Sequence, residues 1–174
     1  MNKKSLQTKE KIEKAMFSLL TTISYDQISV AEIAKEADVS RTAFYRNYDQ
    51  KDDVLKKFID EQYQIFIADI EKNKLLTLME ELKTYLSYFK RNPHLMEILL
   101  NAGFEGVLLN QQTIYLKKLI QTRHPELQLP DYAYSFQSGG IYMTLVWWVR
   151  EDHYQTPVDT LVQYIQKHLE FNTK

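Results

Sequence analysis

Apolar residues return at helical spacing along almost the whole chain, and the breaks between these stripes mark the elements. Ile12, Ala15, Met16, Leu19, Leu20 and Ile23 form a first stripe over residues 8–23. Tyr25-Asp26-Gln27-Ile28 interrupts it. Ser29 then offers a hydroxyl as N-cap with Glu32 three residues on, a capping box that predicts a short helix burying Val30, Ile33, Ala34 and Ala37 and stopping at Asp38. Ser40 caps a second short helix, SRTAFYRNY. Phe44 and Tyr48, four residues apart, share its core side, while Arg41, Thr42, Tyr45 and Arg46 face outward. Asp49 caps a longer helix whose first turn carries Asp52 and Asp53 at the positive end of the dipole. Val54, Leu55, Phe58, Ile59, Phe66 and Ile70 are its stripe.

Beyond residue 75 the pattern becomes longer and more aromatic. Leu78, Met79, Leu82, Tyr85, Leu86 and Phe89 align over 75–91, and Asn92-Pro93 reads as N-cap and N1 of a short helix ending near Asn101. A helix over 104–123 stops at His124-Pro125. Residues 131–152 are almost all apolar or small from Gly139 to Val149, which predicts burial on more than one face. Thr156-Pro157 opens a last helix with the stripe Val158, Leu161, Val162, Ile165 and Leu169. The expectation is an all-α fold of about nine helices without a strand.

Composition narrows this further. Four Gly and four Pro in 174 residues favour long helices joined by short turns. The absence of Cys removes disulfides, thiolate metal sites and thiol redox sensing. The polar start MNKKSLQTKEKIEK does not resemble a signal peptide, and no apolar run has membrane-spanning length, so a cytoplasmic protein without membrane contact is expected. His94, His124, His153 and His168 show no metal-ligand spacing and no Gly-rich phosphate loop is present, so neither an enzyme nor a cofactor nor a metal site is expected. A net charge of −1 is unusual for a nucleic-acid binder, but the positive charge is local: Lys3, Lys4, Lys9, Lys11 and Lys14 cluster at one end, and Arg41, Arg46 and Lys51 near residue 45. On charge alone a mixed solvated surface explains the balance equally well.

Two short helices separated by a turn at 37–39 are what a DNA-reading helix-turn-helix requires. Ala34 is small where the helices cross, and Val39 and Phe44 plug the core beneath the turn. The run AEIAKEADVSRTAFYRNYDQKDDVL resembles the DNA-binding head of TetR-type transcriptional regulators, with Tyr45, Asn47, Tyr48, Lys51 and Leu55 at the positions of that family's pattern. The resemblance covers residues 8–58, and more loosely 139–169, where the paired glycines, Trp148 and Thr156-Pro157 stand at similar spacings. Asp38 occupies a turn position where Gly is usual, and Asn47 one where His is common. Asp tolerates the left-handed conformation better than most residues, so the turn should survive.

The resemblance implies a head over 1–52 and a helical regulatory and dimerisation domain over 53–174. Chemistry then divides the labour. Arg41 and Thr42 are candidates for base contact, since Arg pairs bidentately with guanine, and Ala43 for a thymine methyl. Tyr45, Arg46, Asn47, Lys51 and Ser29 are candidates for phosphate. Such heads act as two-fold dimers on near-palindromic operators, and Gly139, Gly140, Trp147, Trp148, Leu161, Val162, Ile165 and Leu169 are dimer candidates. The alternative is that this stripe merely closes one monomer's own core. Tyr85, Phe89, Met96, Phe104, Tyr115 and Tyr142 are pocket candidates for a small apolar or aromatic effector, although any one of them could simply be core. The function expected is that of a ligand-responsive homodimeric repressor; the alternative is an activator or co-regulator governed by a protein partner.

Overall fold

The computed structural model describes residues 3–168, with side chains from Ser5 onward; the dimer candidate Leu169 lies outside the described residues. All regular structure among them is helical: α1 (Lys3–Leu20), α2 (Val30–Glu36), α3 (Arg41–Tyr45), α4 (Lys51–Lys72), α5 (Leu78–Arg91), α6 (Pro93–Asn101), α7 (Glu105–Arg123), α8 (Asp131–Arg150) and α9 (Val158–His168). Short 3-10 turns stand at Tyr25–Gln27 and Pro125–Leu127. The chain divides into two compact units, Met1–Gln62 with Ile98–Phe104, and Tyr63–Glu97 with Glu105–Lys174. The 52/53 boundary read from the sequence falls inside α4, ten residues before the observed division.

In the first unit, here called the head, Ile12, Ala15 and Met16 of α1 are buried together with Ile33 and Ala34 of α2 and Phe44 of α3. α2 ends as the sequence required: Asp38 adopts φ 52°, and the Val39 and Asp38 amides donate back to the Ala34 and Lys35 carbonyls. This pattern satisfies carbonyls the helix leaves open, and it needs a left-handed residue at the Asp38 position. α4 and α6 end in the same way, with Lys74 at φ 53° and Gly103 at φ 71°. The turn at Gly103 delivers Phe104, 4 % exposed, edge-on to the Tyr25 ring at 4.9 Å. Phe104 therefore belongs to the head, not to a pocket in the second unit where the sequence had placed it.

In the second unit, the body, α7 and α8 pack along each other and α9 lies against α5 and α8. Thr77 caps α5 with Glu80 in a capping box, which starts this helix three residues later than its apolar stripe suggested. Glu81, fully enclosed, accepts from Arg123 Nε at 2.5 Å and sits 2.8 Å from His124 Nε2. Arg123 also donates to the Leu75 carbonyl. A carboxylate goes into a core only with such partners. Thr156, expected as the N-cap of the last helix, instead donates through both its amide and its hydroxyl to Asp152, and its carbonyl receives the Trp148 indole N–H.

Candidate nucleic-acid interface

Helix α3 is five residues long, and its two faces have different fates. Ser40 Oγ accepts the Ala43 amide at 3.1 Å and starts the helix. Phe44 is completely buried and Tyr48 nearly so. Opposite them Arg41, Thr42, Tyr45 and Arg46 are exposed and Ala43 is half-buried. Tyr45 keeps 55 % of its surface open. The outward set predicted from spacing is thus on one face of one helix.

Behind that face the head is fastened by side-chain hydrogen bonds. Ser29 and Glu32 exchange their capping-box bonds, and the two backbone and side-chain contacts with Ser29 hold the Glu32 carboxyl below its ordinary range. Ser18 of α1 donates to Glu36 of α2 at 3.0 Å. Tyr48 donates to Glu13 of α1 at 2.7 Å. Burial raises the Glu13 carboxyl, and the Tyr48 bond opposes that rise. Burial, reinforced by Glu13, pushes the Tyr48 phenol up, so the hydroxyl stays a donor.

Two expected phosphate ligands turn out to be engaged inside the protein. Asn47 donates to the Ala43 carbonyl at 2.7 Å and accepts from Ser5 at 2.9 Å, so its amide ties α1 to the end of α3. Lys51 Nζ donates to the carbonyls of Tyr25 at 2.8 Å and Ile28 at 2.9 Å, and lies 4.2 Å from the centre of the Tyr25 ring. The Tyr25 hydroxyl donates to Asp52 in a short bond, and burial followed by that bond drives its phenol upward. Spacing could place Asn47 and Lys51 at the rim of the reading helix; it could not reveal that loop carbonyls were in reach.

The chain matches the family model for bacterial regulatory proteins of the tetR family over residues 14–58, which spans α2, α3 and their turn. Over those residues the chain carries the tetR-family pattern. A transcriptional activator of the dhaKLM operon, DhaS from Lactococcus lactis, is 26 % identical to this chain over 141 residues, covering 77 % of it and 73 % of DhaS. Among solved structures, a TetR transcriptional regulator from Streptococcus agalactiae superposes with TM-score 0.72 at 24 % identity, over 95 % of each chain. The dihydroxyacetone kinase operon activator DhaS superposes with TM-score 0.58 at 21 % identity, over 93 % of each chain. The fatty acid degradation regulator FadR from Bacillus halodurans does so with TM-score 0.57 at 21 % identity, over 93 % of this chain and 94 % of its own. The chain has the all-helical fold of those structures. Among the described residues no helix is long and apolar enough to cross a membrane.

The body places the remaining candidates. Trp148 is fully buried, and Leu161, Val162 and Ile165 are almost so, within one chain. The stripe that does face outward is Tyr132, Phe136, Met143 and Trp147 of α8, joined by Tyr164 of α9, each 45–78 % exposed. Gly139 lies within that stripe, and a Cβ built there meets nothing within 4 Å. Gly140 beside it is half-buried. A groove of about 490 Å³ lined by Met143, Trp147, Thr160, Leu161 and Tyr164 runs along the same face.

Of the pocket candidates, Tyr85, Phe89, Met96, Tyr115 and Tyr142 lie in the body. Tyr85 donates to Gln112 at 2.8 Å, Gln112 donates to the Ser138 carbonyl at 2.9 Å, and Thr113 donates to Ser138 Oγ at 2.9 Å. Tyr115 stacks on Tyr63 with ring centres 3.7 Å apart, and Phe89 meets Tyr85 edge-on. The buried hydroxyl of Tyr142 and Oε1 of Gln137 have no hydrogen-bond partner. Burial and the nearby Glu105 push the Tyr142 phenol up to about 12. Sequence reading missed Gln112, Thr113 and Ser138, because uncharged polar residues within helices carry no motif.

Proposed function

We propose that the chain is a homodimeric repressor that binds a near-palindromic operator and lets go of it when a small effector enters the body. The observation that carries this reading is the division of α3, with Phe44 buried and Arg41, Thr42, Tyr45 and Arg46 exposed on the other side. Arg41 and Thr42, at the N-terminal end of the helix, read base edges, and Ala43 beside them meets a thymine methyl. Tyr45, Arg46 and Ser29 hold phosphates and fix the register. A five-residue reading helix reaches few base pairs, so two copies are needed, and the open stripe Tyr132, Phe136, Gly139, Met143 and Trp147 is the surface through which they pair.

Tyr142 and the Tyr85–Gln112 bond make the body more polar than an apolar-effector reading assumed. An aromatic effector bearing a hydroxyl or carbonyl suits it, because an unpartnered buried hydroxyl gains a bond on binding. Such an effector acts through its differential affinity for the two states, on the order of 1–3 kcal/mol. Selection of bound duplexes from a random DNA pool tests the reading: a two-fold motif with half-sites about one helical turn apart is expected. Recovery of no motif would overturn it.

A second reading, an activator, is favoured by the name of the Lactococcus relative DhaS. Transcription in vitro from a promoter carrying the selected motif separates the two by the sign of the effect.

A further inference from the structure

We propose that Lys51 is a positioning residue for DNA binding, acting on the loop that opens the helix-turn-helix instead of on a phosphate. An ammonium group has three hydrogens. Lys51 meets as many partners: the Tyr25 carbonyl, the Ile28 carbonyl and the face of the Tyr25 ring. Tyr25 and Ile28 are themselves buried, at 8 % and 2 % exposure, so their carbonyls depend on donors within the protein. Asp52, the next residue, receives the Tyr25 hydroxyl. The first turn of α4 therefore grips residues 25–28 at both the backbone and the ring.

What this grip controls follows from chain order. Ile28 is followed directly by Ser29, the N-cap of α2, and α2 packs against α3. A shift of the 25–28 loop moves the start of α2, and with it the pose of the reading helix above Phe44. The inference rests on the DNA-binding reading but assigns Lys51 a role that reading did not give it.

Salt dependence distinguishes the two roles. Each phosphate neutralised by a protein cation contributes about 0.9 to the slope of log affinity against log salt on duplex DNA. In the full chain, on the selected duplex, Lys51→Met should weaken binding about tenfold, because the Ile28 carbonyl loses its donor and the Tyr25 carbonyl keeps only the Ile28 amide, and should leave the wild-type slope unchanged. A slope smaller by about 0.9 would overturn the proposal in favour of a phosphate contact. Unchanged affinity would overturn it as well.

Should Lys51→Met fail to fold, Tyr25→Phe decides. It keeps every charge and both carbonyls, and Tyr25 is too buried to touch DNA. Loss of its bond to Asp52 should cost about threefold in affinity at unchanged slope; no loss would overturn the proposal. If the wild-type chain itself binds no duplex, the DNA-binding reading fails first and takes this assignment with it.

Discussion

Head and body use polar side chains in opposite ways. In the head, Ser18, Ser29, Glu32, Asn47 and Lys51 each close a backbone end or join two elements, and the charged members stay at least partly exposed. The body encloses a carboxylate completely and balances it with Arg123 and His124, and it leaves the Tyr142 hydroxyl buried without a partner. A reading head must present one fixed face, so its polar groups serve geometry. A body that answers to an effector tolerates, and on the present reading needs, polar groups whose partners change. The contrast is between polarity that fixes a shape and polarity that is held in reserve.

Four variants test that contrast. Phe44→Ala should produce the largest effect, since it empties the plug beneath the reading helix: about 4 kcal/mol of stability, with DNA binding lost. Urea denaturation of the full chain measures it, and a loss under 1 kcal/mol would mean the head does not depend on this plug. Glu81→Gln comes next. It removes the buried carboxylate charge that Arg123 and His124 face and leaves one acceptor oxygen where there were two, Arg123 being partly solvated, and should cost about 3 kcal/mol with operator affinity at saturating stability unchanged. An equal loss of binding would erase the separation between the two units' roles.

Arg41→Ala should leave stability within about 0.5 kcal/mol. It should cost about 1–3 kcal/mol of binding and relax specificity at one base position. Titrations against single-base operator variants measure this, and a uniform loss on every variant would move Arg41 to the phosphates. Asp38→Gly should have the smallest effect, a gain of less than about 1 kcal/mol, because the left-handed turn no longer strains a side chain. A drop in the thermal midpoint would show that the Asp38 side chain contributes more than its backbone conformation.

Much of this molecule could be read from spacing, and the exceptions have common causes. The capping box at Ser29, the left-handed turn at Asp38 and the inward Phe44 and Tyr48 are local in sequence, fixed by residues three or four apart. Trp147 and Trp148 show where that logic stops. They stand about 100° apart on α8, whose run from Gly139 to Val149 is apolar on nearly every side, so periodicity could not say which faces in. Glu81, Lys51 and Phe104 depend on partners 23 to 79 residues away: Arg123 and His124, the 25–28 loop, and Tyr25. No short window contains those pairs.

The Gly103 turn carries one more consequence. Because Ile98–Phe104 belongs to the head while residues 63–97 do not, the DNA-reading unit is discontinuous along the gene. A single cut after Gln62 would release a head whose Tyr25 ring has lost Phe104, the aromatic edge packed against it. Exchanging reading heads between regulators of this kind therefore requires moving two segments together. Transplanting the first sixty residues alone would carry over the exposed face of α3 while leaving behind part of the head's packing.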